Sequence, residues 1–305
     1  MNKITSLLAC CVAAGFASLS MAAEPGCGDS GVALQVLGSG GPELDDRRAS
    51  ASYLIWQDGK ARALVDFGSG AALHFEQAGA RLEDLEVLLF THFHVDHAND
   101  LPALVKGSYF TGRSRDLPLY GPRGNELVPG AAAFLQALFG AQGAYRYLGD
   151  YLDGSGSYRL QATEFETGGE QRIEVGEVAG LKLSAVPVHH GPIPALAWRV
   201  EIADKTLVFS GDLSNSKGTL AGLAEGADLL VVHNAIPEDA RGAARNLHLP
   251  PSEIGRVAAQ ANAGQLVLSH FMLRTLDRED ETLSHLREHY DGPVHFAADL
   301  RCFEP

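Results

Sequence analysis

The amino-acid sequence predicts an α/β fold in which two mixed β-sheets, one in each half of the chain, carry helices on their outer faces. Short apolar runs bounded by Gly, Pro, Asn or Asp recur from residue 31 to residue 296 and indicate strands. Helical patterns alternate with these runs, and polar residues gather where the strands end. In layered α/β folds, such strand ends and the loops beyond them carry the functional site.

In the first half, the apolar runs predict strands at residues 31–37, 51–56, 62–66, 87–90 and 117–120, and helical patterns cover 101–110 and 125–139. Asp58-Gly59, between the second and third runs, is a hairpin signal. The segment from Gly140 to Gly156 is rich in Gly and Tyr and has no clear period, so we expect a surface loop or lid there.

The second half of the chain shows the same alternation of predicted strands and helices. Strands are predicted at residues 181–188, 198–202, 206–210, 229–232, 265–269 and 294–296, with helices near 219–225, 252–262 and 280–290. The first of these strands runs into His189-His190, and two later ones lead to Gly211-Asp212 and His270. These polar side chains are therefore candidates for a functional site.

The composition is that of an ordinary globular protein, with 305 residues of which 46% are hydrophobic and 20% charged. The formal net charge of −14 gives an acidic surface, which repels nucleic-acid backbones and anionic membrane faces. It does not exclude a small anionic substrate, because metal ions can invert the charge inside a pocket. No nucleic-acid polymer is therefore expected as a partner, and the oligomeric state, a homodimer included, stays open.

Residues 1–23 have the pattern of a secretory signal peptide. A basic start at Lys3 precedes a short apolar run from Leu7 to Leu19, and Ser20-Met21-Ala22-Ala23 offers the small residues of a cleavage site. The run is too short and too rich in Ala and Ser for a good membrane anchor, so none is expected after cleavage. We expect one mature domain at residues 24–305 in the periplasm or outside the cell; the alternative is a cytosolic protein with a frayed N-terminus.

Two cysteines, Cys27 and Cys302, remain near the ends of the mature chain after Cys10 and Cys11 leave with the signal. An oxidising compartment would allow a disulfide between them, and two unpaired thiols are the alternative. No Cys-x-x-Cys spacing indicates a thiolate metal site or a redox centre.

Four candidate metal ligands follow the strand predicted at 87–90, namely His92, His94, Asp96 and His97. On an extended segment His92 and His94 point to the same side and can share one metal. Asp96 and His97 follow where the strand gives way to loop and can turn toward a second metal. Imidazole and carboxylate ligands suit Zn²⁺, with Mn²⁺ and Fe²⁺ as alternatives. The competing explanation, a cluster of surface histidines, is disfavoured by the apolar strand that leads into the motif.

The pattern His-x-His-x-Asp-His resembles the signature of the metallo-β-lactamase-fold superfamily, and the resemblance extends from about Leu34 to Phe296. It implies an αββα sandwich, in which two mixed sheets flanked by helices hold two metal ions at one edge. It also implies three further ligands: His190 for the first metal, Asp212 as a carboxylate that bridges both, and His270 for the second. His189 competes with His190, which we choose because its Gly-Pro context is similar to that of the family.

Asp212 and the Leu-Ser-His-Phe sequence around His270 are similar to the ribonuclease Z-like branch of this superfamily. In that branch a histidine upstream of the final ligand helps to protonate the leaving group, and His248 stands at the matching place. The resemblance thus implies His248, Asp96 and Asp212 as catalytic residues. It also suggests that Asp66 orients a ligand histidine, although a plain turn carboxylate is nearly as good an explanation.

Two departures separate the chain from ribonuclease Z. The short interval between His190 and Asp212 leaves no room for the insertion with which ribonuclease Z grips transfer RNA. Where ribonuclease Z has His-Glu, this chain has His233-Asn234, and an Asn cannot raise the basicity of His248 as a carboxylate can.

The stretches at 100–107 and 190–198 are instead similar to exported arylsulfatases and cyclic-nucleotide phosphodiesterases of this fold. We therefore expect an exported hydrolase that cleaves a small anionic ester, either a phosphodiester or an aryl sulfate, by attack of a hydroxide that bridges two metals. Lys106, Arg113 and Arg123 are candidate contacts for such an anion, although each is more often a solvated surface charge. The alternatives are β-lactam, lactone or thioester hydrolysis on the same metals, and a ribonuclease Z-type phosphodiesterase.

Overall fold

The computed structural model describes residues 26–305, so the predicted signal peptide lies outside the described residues. The strands, in chain order, are β1 (Val32–Gly38), β2 (Ser52–Gln57), β3 (Lys60–Phe67), β4 (Val87–Leu89), β5 (Leu117–Pro122), β6 (Leu160–Phe165), β7 (Ile173–Val178), β8 (Leu181–His190), β9 (Ile193–Ile202), β10 (Lys205–Phe209), β11 (Leu229–His233), β12 (Leu266–Ser269), β13 (Val294–Phe296) and β14 (Cys302–Phe303). They form two sheets, in the orders β14-β1-β2-β3-β4-β5-β6 and β13-β12-β11-β10-β9-β8-β7.

Helices cover the outer faces of the two sheets. They are α1 (Ala71–Gln77), α2 (Val95–Ala98), α3 (Leu101–Ser108), α4 (Ala131–Phe139), α5 (Asp150–Asp153), α6 (Leu220–Leu223), α7 (Ala243–Leu247), α8 (Pro251–Gln260) and α9 (Glu279–Leu286). Within residues 26–305, none of them has the length and apolar character needed to span a bilayer.

The side chains of β1 show how the layers are held together. Leu34 and Val36 point into the core between the two sheets, whereas Ala33 and Leu37 point into a second core beneath α1, α3 and α4. Because both faces of the sheet are covered, all seven residues of β1 are buried, Gln35 included, and buried and exposed positions do not alternate.

Parallel pairing brings several strand ends to the same place. β10, β11 and β12 run parallel, so their carboxyl ends meet at one edge of the second sheet. β8 has the same direction as β10, because both pair antiparallel with β9. In the first sheet β3 and β4 are also parallel, and β4 leads to the His-rich motif. The residues that follow these strands are therefore gathered into one site.

A disulfide joins Cys27 to Cys302, and their Cα atoms are 5.6 Å apart. Of the two alternatives that the sequence leaves open, the structure has the disulfide. The bond ties the segment before β1 to β14, its neighbour in the sheet. It therefore closes nearly the whole chain into one loop, which restricts the unfolded ensemble.

The helix predicted at 125–139 begins only at Ala131. Asn125 Oδ1 accepts hydrogen bonds from the N–H groups of Leu127 and Val128, which closes a local turn. Pro129 then disfavours a helical backbone in the residue before it. Turn chemistry therefore overrides the helical pattern in this segment.

The segment from 140 to 156, expected to be a loop or lid, is partly helical. It contains a 3-10 turn at Arg146–Leu148 and the short helix α5, and the side chains of Leu148 and Tyr151 are buried in the core beneath α4. The apolar pattern also misses α1, β6 and β7. β6 and β7 lie at the edges of their sheets and bury few side chains, which weakens the sequence signal for a strand.

Candidate metal centre

The side chains predicted as metal ligands lie together where the strand ends of the two sheets meet. They are His92, His94, Asp96, His97, His190, Asp212 and His270. All are buried except His94, which is half-buried. So many polar groups away from water require partners, which they find partly in one another.

The His-rich motif adopts a different local structure from the one predicted. β4 ends at Leu89, so His92 and His94 follow the strand in an irregular segment. Their rings still face the same side, with His92 Nε2 3.0 Å from His94 Nδ1. Asp96 and His97, expected in a loop, lie in α2, where the His97 N–H donates to the carbonyl of His94. This turn packs the ring of His97 against that of His92, with centroids 4.0 Å apart.

The first ligand group consists of His92, His94 and His190. His190 Nε2 lies 3.4 Å from His94 Nδ1. Asp212 Oδ2 lies 3.5 Å from His190 Nε2 and 4.0 Å from His92 Nε2. Imidazole nitrogens and a carboxylate oxygen thus converge on one point, as a zinc site requires.

The second ligand group consists of Asp96, His97 and His270. The Nε2 atoms of His97 and His270 are 3.2 Å apart, and Asp96 Oδ2 lies 3.2 Å from His270 Nε2. Asp212 reaches this group as well, because its Oδ1 lies 3.4 Å from His270 Nε2. Asp212 Oδ2 also lies 3.8 Å from His97 Nε2, so this carboxylate stands between the two groups and contacts both, as a bridging carboxylate needs to.

Three of the ligand histidines have one ring nitrogen fixed by a hydrogen bond, so that the other faces the centre. The pairs are His97 Nδ1 with Asp66 Oδ2 (2.8 Å), His92 Nδ1 with Thr91 Oγ1 (3.1 Å) and His190 Nδ1 with the carbonyl of Leu247 (3.0 Å). Such bonds fix the tautomer and the ring orientation and are typical of metal-binding histidines. The donor set and its surroundings therefore fit divalent cations such as Zn²⁺.

The carboxylate of Asp66 binds residues outside its own turn. Its carboxylate also accepts hydrogen bonds from the backbone N–H and the hydroxyl of Thr91, both at 2.7 Å. Asp66 and His270 each have a positive φ, 53° and 55°, although neither is glycine. The ring of His270 lies against Gly41, where an added Cβ would come within 2.9 Å of His270 Cε1. Strained backbone of this kind is concentrated at functional sites.

His189 and His190 point in different directions. His189 is half-buried, and its Nδ1 lies 2.7 Å from Ser214 Oγ, outside both ligand groups. His190 is 1% exposed and faces the first group. The geometry favours His190 as the ligand.

Replacing His190 with alanine is expected to cost the protein one metal ion, because the first ligand group then keeps only two imidazoles. His189→Ala is the matched control and should retain the full metal content. The ratio of metal to protein after dialysis against metal-free buffer measures both. Loss of metal in His189→Ala, with full content in His190→Ala, would reverse the assignment.

His233 is a member of the site that the sequence reasoning did not propose. It ends β11, is 3% exposed, and its Nδ1–H donates to Asp212 Oδ1 at 2.6 Å. Its Nε2 lies 3.0 Å from the hydroxyl of Tyr53. Although His233 is close enough to act as a ligand, both ring nitrogens have partners, so its evident role is to hold Asp212. The signal was present, because the apolar run of β11 ends on this histidine beside two strands that lead to ligands.

His248 follows α7 and lies beside the ligand groups. Its Nδ1 is 3.9 Å from Asp212 Oδ1, and its ring centroid is 5.5 Å from that of His190. Burial lowers the pKa of His248 to about 4, against the opposing effect of Asp212, so the imidazole is neutral near pH 7 and carries one N–H. Among residues 26–305, neither His248 Nδ1 nor the buried side-chain amide of Asn234 has a hydrogen-bond partner.

The charges of the centre suit cation binding. Burial would raise the pKa of Asp212, but the imidazoles of His270 and His248 outweigh it and hold the pKa well below its usual range. Burial lowers the pKa of His92 far below its ordinary value. The carboxylate is thus ionised and the imidazole neutral, which are the forms that bind metal.

His97 differs from His92 in its protonation. Burial acts to lower its pKa, but the carboxylates of Asp96 and Asp66 raise it to about 9. A cation bound at His97 Nε2 would displace this proton, so binding in the second ligand group would release protons to the solvent.

The three cationic side chains suggested as anion contacts have other partners. Arg113 is buried and donates to the carbonyls of Leu82 and Leu85. Arg123 forms an ion pair with Glu166, and the ammonium of Lys106 lies over aromatic rings. The structure does not bring them to the centre.

The comparisons with known proteins all point to the same family. The model of the "Beta-lactamase superfamily domain" matches residues 62–271. A protein named ribonuclease Z from Mycobacterium sp. (strain KMS) is 33% identical over 260 residues, which cover 79% of this chain and 84% of that protein.

Two solved structures show the same fold. The metallo-beta-lactamase fold protein YhfI from Bacillus subtilis superposes with a TM-score of 0.70 at 21% identity, covering 90% of this chain and 99% of that one. The short form of human tRNase Z gives 0.67 at 19% identity, covering 89% and 98%. These likenesses confirm the predicted αββα sandwich.

Proposed function

Because the chain belongs to the ribonuclease Z-like branch of the beta-lactamase superfamily, we propose that it hydrolyses small anionic esters with two divalent metal ions, most readily Zn²⁺. The observation that carries the proposal is the place of Asp212, with Oδ2 toward His190 and Oδ1 toward His270. A carboxylate between two groups of imidazoles is what a two-metal hydrolase needs.

The metals would be held by the first and second ligand groups, with Asp212 shared. When bound, they would supply a nucleophile near neutral pH by lowering the pKa of a water molecule. The chain's own part is to fix the ligands: Asp66 orients His97, and His233 holds Asp212. His248, beside Asp212, is placed to donate its N–H to the leaving oxygen of an ester bound there.

Small substrates fit this chain better than transfer RNA. β8 and β9 are joined only by Gly191-Pro192, and β9 and β10 only by Ala203-Asp204, so the interval from His190 to Asp212 is filled by two tight hairpins. The net charge of −14 also opposes binding to an RNA backbone. Ribonuclease Z activity is the second candidate, and the name of the mycobacterial relative favours it.

We propose that the protein works outside the cytoplasm. The Cys27–Cys302 disulfide supports this, because disulfides persist in oxidising compartments and are rare in the cytosol. Mass spectrometry of protein from a periplasmic extract should give a chain that begins after Ala23 and gains two hydrogens on reduction. A full-length chain confined to the cytosolic fraction would contradict the proposal.

A substrate panel on zinc-reconstituted protein tests the reaction class. Bis-p-nitrophenyl phosphate, p-nitrophenyl sulfate, nitrocefin and a precursor transfer RNA would be assayed side by side. We expect turnover of the phosphate or the sulfate ester. Turnover of nitrocefin alone, or of the RNA alone, would refute the proposal in favour of the corresponding alternative.

The variant His248→Ala is expected to slow hydrolysis more for poor leaving groups than for p-nitrophenolate, because a stable anion needs little help to depart. The loss should be about a hundredfold or more for a phenolate of high pKa. The slope of log kcat against leaving-group pKa measures the difference. Equal losses across the series would remove His248 from this role, and His189→Ala, which leaves the leaving-group side intact, is the control.

A further inference from the structure

A cleft of about 220 Å³ opens beside the candidate metal centre. We call it the aromatic cleft, because aromatic and aliphatic side chains make up most of its walls: Phe93, His94, Val95, Phe134, Leu138 and Tyr145. An apolar cavity of roughly 150 Å³ is known to hold one benzene ring. The cleft therefore has room for a single ring with a substituent, and not for a large polymer.

The imidazole of His94 lies between the aromatic cleft and the other members of the first ligand group. The ring of His94 lines the cleft, and its Nδ1 faces inward, 3.0 Å from His92 Nε2 and 3.4 Å from His190 Nε2. His94 is therefore a wall that the aromatic cleft shares with the first ligand group.

The inner walls of the cleft are preformed. Phe93 stacks on Phe90, with ring centroids 5.4 Å apart, and its other neighbour is Phe134 at 4.8 Å. Gly121 lies against Phe93, and an added Cβ there would come within 2.9 Å of Phe93 Cζ. The ring is thus fixed in place, which lowers the entropic cost of binding a flat group beside it.

The outer walls leave apolar surface open to solvent. Val95 is 65% exposed, and Tyr145, which comes from the segment after α4, is 40% exposed. Exposed apolar surface at the mouth of a concave site is typical of ligand binding. The cleft is thus small, aromatic and adjacent to the ligand groups, which are the features that the following proposal uses.

We propose that the aromatic cleft binds a single planar aromatic ring of the substrate, so that the enzyme prefers aromatic over alkyl esters. This inference rests on the proposed function, because the anionic part of the same molecule would occupy the ligand groups. Phe93 and Phe134 form the inner wall against which the ring would pack, and Tyr145 lies on the outer side of the cleft.

Non-hydrolysable phosphonates test the proposal without turnover. Isothermal titration calorimetry on the zinc-reconstituted full chain would compare phenylphosphonate, cyclohexylphosphonate and methylphosphonate. We expect phenylphosphonate to bind roughly tenfold or more tighter than methylphosphonate, as burial of one ring provides. Cyclohexylphosphonate, equally apolar but not flat, should bind more weakly than phenylphosphonate.

Two variants and a matched control locate the effect. Tyr145→Ala should reduce the phenyl preference severalfold, and Leu138→Trp, which fills the cleft, should abolish it while the affinity for methylphosphonate stays the same. Tyr147→Ala is the control, since Tyr147 is an exposed tyrosine two positions away that does not line the cleft.

The outcomes separate the two proposals. Equal affinity for the three phosphonates, or a phenyl preference that survives Leu138→Trp, would overturn the aromatic cleft and leave the proposed function standing. Failure of every phosphonate to bind the zinc-loaded chain would contradict the proposed function and the cleft together. A phenyl preference lost in Leu138→Trp and kept in Tyr147→Ala supports the cleft.

Discussion

Replacing Asp212 with alanine is expected to remove one of two metal ions and to reduce hydrolysis by about a thousandfold or more, as loss of a group that positions transition-state charge does. Among the described ligands, Asp212 is the carboxylate that contacts histidines of both ligand groups, with Oδ2 3.5 Å from His190 Nε2 and 3.8 Å from His97 Nε2, and Oδ1 3.4 Å from His270 Nε2. Without it, the two groups would no longer share a donor, and His233 would lose the partner of its Nδ1–H. Metal content and kcat/KM for the best substrate of the panel measure the effect.

Asp204→Ala is the matched control for Asp212→Ala. Asp204 is an exposed aspartate in the turn between β9 and β10, close to Asp212 in the chain. Its replacement should change neither metal content nor rate. An Asp212→Ala protein that keeps both metals and most of its activity would reject the shared-carboxylate assignment.

The variant Asp66→Ala is expected to weaken metal binding by about 10- to 100-fold, the usual effect of removing the partner of a ligand histidine. It should also lower the free energy of unfolding by about 3 kcal/mol, because His97 and Thr91 lose a buried charged acceptor. The positive φ of Asp66 adds to the cost, since alanine tolerates this conformation poorly. Competition with a chelator of known affinity measures the first effect, and denaturant unfolding of the metal-free protein measures the second.

Asp66→Asn separates the backbone from the carboxylate. Asparagine accepts the left-handed backbone and can still accept a hydrogen bond, so the unfolding free energy should be largely restored. Metal affinity should recover less, because a neutral amide polarises His97 less than a carboxylate does. If the asparagine and alanine variants bound metal as tightly as the parent chain, Asp66 would have no part in orienting His97.

The ligand set could be predicted because each member follows an apolar run. His190, Asp212 and His270 come at or just after strand ends, and parallel pairing of β10, β11 and β12 carries those ends to one edge. The period of apolar residues gives the strands, and the family resemblance gives the assignment of each ligand to a metal. The αββα sandwich followed from the same two sources.

Other features depend on pairing that no local pattern reveals. Tyr53 and His233 come from different sheets, 180 positions apart, and only the packing of the sheets brings the hydroxyl to the imidazole. Asp96 lies in a helical turn where the sequence predicted a loop after an extended His92–His94 segment, because β4 already stops at Leu89. Tertiary contacts, and not the local period, decide both.

The aromatic cleft is a third case. Phe93 is part of the motif, yet its ring becomes a wall only because Gly121 of β5 leaves space for it. Phe134 and Tyr145 come from α4 and the segment after it, for which the sequence predicted a helix that begins too early and a surface loop or lid. The sequence therefore predicted the metal ligands more accurately than the residues that line the aromatic cleft.

The proposed reaction requires the chain to hold two divalent cations in adjacent sites that share Asp212. The most direct test is an anomalous difference map from crystals of protein purified without chelator, recorded at the zinc absorption edge. We expect two peaks on either side of the Asp212 carboxylate, one at the first ligand group and one at the second. A map with no peak at either group, in crystals grown with zinc, would contradict this expectation.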